Sequence, residues 1–119
     1  MGDDLYPSFN GEKEPFQDSC TIYRGHLRHA LLRCLSEKDM HGLDMINRIK
    51  EVTSGEWIPS PGSVYPILQK FEKIGYISKK QKGRSLIYSL TDDGKQALGS
   101  FHGEIKQQLN FIDWIMTTR

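Results

Sequence analysis

Residues 60–94 read SPGSVYPILQKFEKIGYISKKQKGRSLIYSLTDDG and carry signals for a helix, two strands and a second helix, in that order. Ser60 followed by Pro61 is a typical helix start, and Gly75 is a typical helix end. Between them, apolar side chains recur at the spacing of a buried helical face: Val64, Ile67, Leu68, Phe71 and Ile74. Pro66 removes one backbone hydrogen bond inside this helix. We therefore predict either an irregular first turn or a cap closer to Ser63.

The chain after Gly75 is predicted to form a β-hairpin. Residues 76–80 and 86–90 are short β-prone runs, and the basic, glycine-containing segment 79–84 is predicted to be the turn between them. Thr91 then caps a long helix, with acidic residues favourably placed in its first turn. Two more helices are predicted upstream, over residues 21–36 and 43–53. The whole predicts a mainly α fold with one small hairpin, a winged helix-turn-helix followed by a long C-terminal helix.

The upstream helices are predicted from their apolar spacing. In the second, Leu43, Ile46, Ile49 and Val52 are expected to form the buried stripe. Trp57 and Ile58, in the connection to the next helix, are expected to dock onto the core.

Three segments with different tasks are predicted. Residues 1–19 are an acidic tail, residues 20–90 the DNA-binding domain, and residues 91–119 a dimerisation helix. The last helix carries more apolar surface than a small core can cover, which is typical of a partner interface. A homodimer is the simplest partner; folding back onto the chain's own domain is the alternative. The predicted interface comprises Leu98, Phe101, Ile105, Leu109, Ile112, Trp114, Ile115 and Met116.

Local charge points to nucleic acid although the formal net charge is only +1. Residues 1–19 carry a net of −4, whereas residues 69–88 carry a net of +5. A basic hairpin beside a helix that fits the major groove is the pattern of double-stranded DNA binding. A merely solvated charged face is the plainer interpretation of the same cluster. The predicted DNA contacts are Ser60, Gly62, Ser63, Tyr65, Gln69, Lys70, Lys73, Lys80, Lys82, Gly83 and Arg84, with core packing as the alternative role of Tyr65.

Other classes of function find little support in the sequence. His26 and His29 could share a helix face, but no cysteine or carboxylate stands beside them at metal-ligand spacing. No phosphate-binding loop, nucleophile elbow or metalloprotease motif is present. No run of 18 apolar residues is found, and Cys20 and Cys34 are too few for a disulfide framework. We expect a cytoplasmic protein with no cofactor, no metal, no catalytic activity and no membrane association.

The motifs together resemble the PadR family of transcription regulators, in its short form with one C-terminal dimerisation helix. The resemblance runs from His41-Gly42 through SPGSVYPILQKFEKIGYI to the segment YSLTDDG that ends at Gly94. It implies a winged-helix homodimer that binds inverted-repeat promoter DNA, usually as a repressor. In many members a small molecule relieves repression, but the identity of an effector is not legible in this sequence.

Three functions therefore compete. The first is a dimeric repressor released by a small-molecule effector, the second a ligand-independent architectural DNA-binding protein, and the third a winged-helix protein–protein adaptor. The basic hairpin argues against the adaptor, because phosphate contact is the simplest reason for such a charge cluster.

Overall fold

The computed structural model describes residues 23–117. Their elements, in chain order, are α1 (Leu27–Glu37), α2 (Gly42–Val52), α3 (Pro61–Ile74), β1 (Ile77–Lys82), β2 (Ser85–Leu90) and α4 (Asp92–Met116). This order confirms the predicted mainly α fold with a single antiparallel hairpin. The predicted acidic tail and Cys20 lie outside the described residues. No helix within the described range is long and apolar enough to cross a membrane.

One core joins the first three helices to the base of the hairpin. Its most deeply buried large side chains come from α1, α2, α3 and β1: Leu31, Leu32, Met45, Val64, Leu68 and Ile77. Met40, in the link between α1 and α2, exchanges backbone hydrogen bonds with Tyr88 of β2, with N···O distances of 3.2 and 3.0 Å. The hairpin is therefore fixed to the helical core on the side of α2.

Helix α3 has the predicted ends. The Ser60 hydroxyl accepts a hydrogen bond from the Ser63 amide at 3.2 Å, which makes Ser60 the N-cap. Gly75 ends the helix with φ +90°, a left-handed conformation that glycine adopts without steric cost. The helix continues through Pro66, so the alternative cap near Ser63 is wrong. Ile74 is exposed rather than part of the buried stripe.

The two upstream helices differ from their predictions. Helix α1 begins at Leu27, because the helical conformation of Tyr23 and Arg24 is interrupted at Gly25 and His26. The His26 amide donates to the Tyr23 carbonyl at 2.9 Å, and glycine is a poor helix former. In α2 the buried side chains are Met45, Ile46 and Ile49, whereas Leu43 and Val52 are exposed. Leu43, Val52 and Met45 all lie at helical spacing from Ile46 or Ile49. The side of α2 that packs against α1 and α3 includes Met45 and leaves Leu43 and Val52 in solvent.

The connection between α2 and α3 docks through one aromatic residue. Trp57 is buried and stacks on Tyr23 with ring centroids 5.6 Å apart, as the sequence predicts. Ile58 is more than half exposed, so its predicted docking is wrong.

The hairpin is longer and its turn tighter than predicted. The strands extend to Lys82 and Ser85, which pair with each other, so the turn consists of Gly83 and Arg84 alone. Gly83 has φ +61°, as the first central residue of a type II′ hairpin turn requires. The predicted turn over residues 79–84 is therefore wrong, and all three of its lysines lie on β1.

Helix α4 starts on the domain and then leaves it. The Thr91 hydroxyl caps the helix by accepting a hydrogen bond from the Gly94 amide at 3.1 Å. Gly94 and Ala97 are buried, and Leu98 and Phe101 are partly buried against the core. Every side chain from residue 106 to residue 116 is exposed. At 1.5 Å per residue the helix is about 37 Å long, so roughly its last half projects from the domain.

Candidate nucleic-acid interface

Helix α3 turns one polar face to solvent. Its opposite face buries Val64, Leu68 and Phe71 in the core, which fixes the rotation of the helix about its axis. The exposed residues at helical spacing are Gly62, Ser63, Pro66, Gln69, Lys70 and Lys73. All of the predicted α3 contacts except Tyr65 therefore share one accessible surface. Pro66, at its centre, was not predicted as a contact.

The N-terminal turn of α3 offers few free hydrogen-bonding groups to a phosphate. The Ser60 carbonyl accepts hydrogen bonds from the amides of both Ser63 and Val64, each at 3.0 Å. The Ser60 hydroxyl also donates to the Ser63 hydroxyl at 3.1 Å. Since Pro61 has no N–H, Gly62 supplies the one amide of this turn that has no acceptor among residues 23–117.

Tyr65 serves the packing of the fold. The residue is half-buried, and its ring lies directly on Gly42 at the start of α2. A Cβ atom at Gly42 would stand 2.6 Å from the Tyr65 hydroxyl oxygen, so any larger residue there would displace this ring. The sequence offered both roles for Tyr65, and the packing role is the one that the structure describes. Its contact with DNA stays a prediction.

The strand register divides the basic residues of the hairpin between its two faces. Side chains alternate along β1, so Lys79 and Gln81 share the face of Ile77 and Tyr88, which packs on the core. Lys80 and Lys82 lie on the other face. The hairpin thus presents Lys80 and Lys82 on its outer face and Gly83-Arg84 at its tip.

Lys79 has a structural partner. Its Nζ lies 3.3 Å from a carboxylate oxygen of Glu72, so the pair ties β1 to α3. At the tip, the Gln81 side-chain amide donates to the Gly83 carbonyl at 2.9 Å, which braces the turn. Sequence alone does not reveal the contact between Glu72 and Lys79, because the two residues belong to different elements.

The cations predicted to meet DNA take no part in the ion pairs of the described residues. Elsewhere, Arg48 contacts Glu37 at 2.9 Å and Glu51 at 3.0 Å. Its hydrogen bond to Glu37 lowers the pKa of that carboxyl. Ten cations stay outside the ion pairs within residues 23–117, and half of them lie on α3 and the hairpin: Lys70, Lys73, Lys80, Lys82 and Arg84. The other five are spread over the rest of the described chain: Arg24, Arg28, Lys38, Lys50 and Lys106. An exposed set of uncompensated cations on α3 and the hairpin produces a positive potential there.

His41 links the hairpin to the start of α2, a role that the sequence analysis missed. One ring nitrogen, Nδ1, lies 3.1 Å from the Leu86 carbonyl oxygen, and the His41 amide donates to the Asp44 carboxylate at 3.3 Å. The hairpin therefore has a second attachment to the helices besides Met40.

The predicted dimer interface falls into two parts. Leu98, Phe101 and Ile105 are partly buried on the side of α4 that faces its own domain. Beyond them the large apolar side chains are exposed, between 44% for Ile115 and 75% for Met116. The exposed set consists of Leu109, Phe111, Ile112, Trp114, Ile115 and Met116. Phe111 was not among the predicted interface residues, although its apolar character is plain in the sequence.

The histidines do not assemble a metal centre within residues 23–117. His29 and His102 instead contact each other between α1 and α4, with Nε2···Nδ1 at 2.9 Å. Partial burial, together with the nearby His102 and His26, lowers the pKa of His29. Cys34 is buried, and burial raises the pKa of its thiol to about 11, so it is not a reactive thiolate at neutral pH.

Comparison with known proteins agrees with this geometry. Residues 31–100 match the transcriptional regulator PadR-like family. The chain is 33% identical to the transcriptional regulator YqjI of Escherichia coli over 90 residues, which is 75% of this chain and 42% of that protein. It is 32% identical over 77 residues to the negative transcriptional regulator PadR of Bacillus subtilis, covering 60% of this chain and again 42% of the relative. The chain thus spans less than half the length of these curated relatives.

The fold has close counterparts among solved structures. The PadR-like transcriptional regulator from Bacillus cereus superposes with a TM-score of 0.72, covering 83% of this chain and 99% of that one at 21% sequence identity. The family and these relatives are transcription regulators, not enzymes. The family match extends from α1 into α4 and includes the whole of α3 and the hairpin. Because it covers more than half of the chain, this protein belongs to the PadR-like family of transcriptional regulators.

Proposed function

We propose that this regulator is a homodimeric repressor that binds an inverted-repeat operator in double-stranded DNA. In this proposal residues 20–90 bind DNA and the helix in residues 91–119 joins two protomers. The observation that carries the proposal is the set of five cations on α3 and the hairpin that take no part in the ion pairs of residues 23–117. A repressor, rather than an activator, is favoured by the description of the Bacillus subtilis relative as a negative regulator.

The charge count sets the expected strength of the salt dependence. Each phosphate that a cation neutralises adds about −0.9 to the slope of log K against log salt. Two protomers with five cations each would give a slope of about −9 at most. An adaptor that binds only protein would have no such dependence on duplex DNA. The slope is therefore a direct test of the proposed surface.

The C-terminal half of α4 supports the homodimer. Six large apolar side chains between Leu109 and Met116 are exposed on a helix that projects from its domain. A contiguous exposed apolar surface of this kind is typical of an interface. A twofold axis through this helix would place two copies of α3 on successive half-sites.

A small-molecule effector belongs to the proposal as its regulatory part. An open groove of about 390 Å³ separates α1 from α4 and is lined by His29, Phe101 and Ile105 among others. Its volume lies within the range of ligand sites. A ligand there would act by changing the angle of α4, and thereby the spacing of the two α3 helices, if it bound the two arrangements with different affinity. The ligand's chemical class is not assigned. Since the protein works where the DNA lies, we propose a cytoplasmic location.

The test is a fluorescence-anisotropy titration against DNA upstream of the protein's own gene, with a scrambled duplex as control, at several salt concentrations. Tight and selective binding with a steep slope is expected. Equal, salt-sensitive binding to both duplexes would favour the architectural alternative once an in vitro selection of random duplexes had also returned no preferred site. Absence of binding to either duplex and to the selected pool would leave the adaptor as the better hypothesis.

A matched pair of variants tests whether the salt dependence of DNA binding comes from the cations on α3 and the hairpin. Lys82→Ala removes a cation from the outer face of the hairpin, whereas Lys50→Ala removes an exposed cation in the last turn of α2, outside the proposed set of contacts. The first should weaken binding to all duplexes and flatten the slope, and the second should change neither. Equal behaviour of the two variants would contradict the proposed surface.

A further inference from the structure

We propose that Pro66 is a specificity-determining residue that reads the methyl group of a thymine in the major groove. This inference rests on the proposed function, since it assumes that α3 enters the groove. It assigns a role to a residue that the fold itself does not explain. Pro66 is exposed in the middle of α3, and the helix continues through it.

The position of Pro66 is central on the exposed face of α3. Ser63 precedes it by three residues, and Gln69 and Lys70 follow it by three and four, all of them exposed. Residues at these intervals lie on one face of a helix. Any approach that brings Gln69 to a base edge therefore brings Pro66 to the adjacent base step.

The small residues around Pro66 allow a close approach. Gly62 and Ser63, one turn earlier on the same face, have little or no side chain to hold the helix away from the groove floor. A Cβ atom at Gly62 would meet nothing closer than the Ser60 hydroxyl oxygen at 3.9 Å, so the protein leaves this side open. The long side chains of Lys70 and Lys73 lie towards the other end of the helix. The Pro66 ring is thus the first bulky group at the N-terminal half of the face.

The chemistry of the ring selects the base. Proline has neither an N–H nor any polar side-chain atom, so it cannot bond to the donors and acceptors of a base edge. In the major groove the thymine C5-methyl is the apolar group that such a ring can contact. Against any other base the ring would displace water from a polar edge without replacing its hydrogen bonds, which is unfavourable.

Core packing does not account for this proline. An interior proline removes the hydrogen bond to the carbonyl four residues earlier, here that of Gly62, and so destabilises a helix. The exposed ring recovers none of this loss through burial in the core. The rigid ring does hold an apolar surface at a fixed place on the exposed face of α3. A flexible apolar side chain would have to lose conformational entropy to do the same.

The experiment uses the operator obtained by in vitro selection with the full chain. Each thymine is replaced in turn by deoxyuridine, in both half-sites together, which removes the methyl and leaves the base edge otherwise intact. Loss of one buried methyl per half-site should reduce affinity about fourfold, and about fifteenfold for the pair. The effect should be confined to one symmetric pair of thymines.

Two variants then assign the effect to Pro66. In Pro66→Ala the deoxyuridine substitution should cost no affinity, because the ring that contacts the methyl is gone. Pro61→Ala changes the proline at the first position of the helix, which lies outside the face that carries Ser63, Pro66 and Gln69. This variant should keep the full loss of affinity on deoxyuridine substitution. Melting curves of both variants establish that they are folded, and alanine in place of the interior Pro66 is expected to favour the helix.

The outcomes separate this inference from the proposed function. Selective binding in which no thymine methyl matters, or an effect that persists in Pro66→Ala, would overturn the role of Pro66 and leave the repressor intact. If the wild-type chain selected no operator at all, the proposed function itself would fail and this inference with it.

Discussion

Substituting Gly94 by alanine should destabilise the protein although it adds a good helix former to a helix. Gly94 lies in the first turn of α4, against the backbone that follows α3. An added Cβ would stand 2.1 Å from the Tyr76 carbonyl oxygen and 2.7 Å from Leu90 Cδ1. Relaxed carbon–oxygen contacts are about 3.3 Å, so the start of α4 must move by about 1 Å.

This movement would disturb the junction between the start of α4 and the end of α3. Thr91 donates its amide to the Tyr76 carbonyl at 3.1 Å and its hydroxyl to the Gly75 carbonyl at 2.5 Å. Forced packing costs about 1–3 kcal/mol, and the two hydrogen bonds contribute about 1 kcal/mol each. The better helix propensity of alanine returns about 1 kcal/mol. The net loss of unfolding free energy is about 2–4 kcal/mol, or about 8–16 °C in Tm.

Two glycines of the same helix supply the control. Gly99 and Gly103 have no atom within 4 Å of an added Cβ, so alanine there should raise stability by up to about 1 kcal/mol each. Urea and thermal unfolding would be measured at one fixed protein concentration, since the proposed dimer would make Tm depend on concentration. If Gly94→Ala were as stable as Gly99→Ala, the close approach of α4 to Tyr76 would be refuted.

Three further predictions concern the hairpin, the projecting helix and pH. In the dimer, Lys82→Ala should reduce the salt slope of DNA binding by about 2, because one phosphate contact is lost per protomer; an unchanged slope in anisotropy titrations would remove Lys82 from the interface. Ile112→Glu should convert the dimer to a monomer in sedimentation velocity, because it buries a charge, whereas Gln107→Glu on the same helix should not. Burial, His102 and His26 lower the pKa of His29 in the folded protein. The His29 side chain therefore binds a proton more tightly in the unfolded chain than in the folded one. Urea unfolding should therefore detect falling stability as pH drops below the ordinary histidine value of 6.5, and a smaller fall in His102→Asn.

The choice of Ile112 for the dimer test follows from the tertiary structure. Ile105 belongs to the same apolar seam in the sequence, but it lines the groove between α1 and α4 and is partly buried. A charge at Ile105 would disturb the protomer as well as a dimer. Ile112 lies one helical repeat later, on the part of α4 that has left the domain.

The sequence by itself determined the elements and their limits wherever the signal is local. Ser60, Gly75 and Thr91 stand at the ends of α3 and at the start of α4 as expected, because a cap acts on the backbone within three or four residues of itself. The order of helix, hairpin and helix follows from such signals. The sequence also determined that Lys70, Lys80 and Lys82 are exposed, since charged side chains are rarely buried without partners.

Only the tertiary structure decided between alternatives that are equal along the chain. Leu43 and Met45 are both apolar and both at helical spacing, and packing against the neighbouring helices buries Met45 alone. Lys79 looks like its neighbours in the sequence, yet the strand register turns it towards Glu72. The close approaches of the Tyr65 ring to Gly42 and of Gly94 to Tyr76 are likewise set by the packing of one element on another. Each depends on contacts between residues far apart in sequence, whose positions no local pattern specifies.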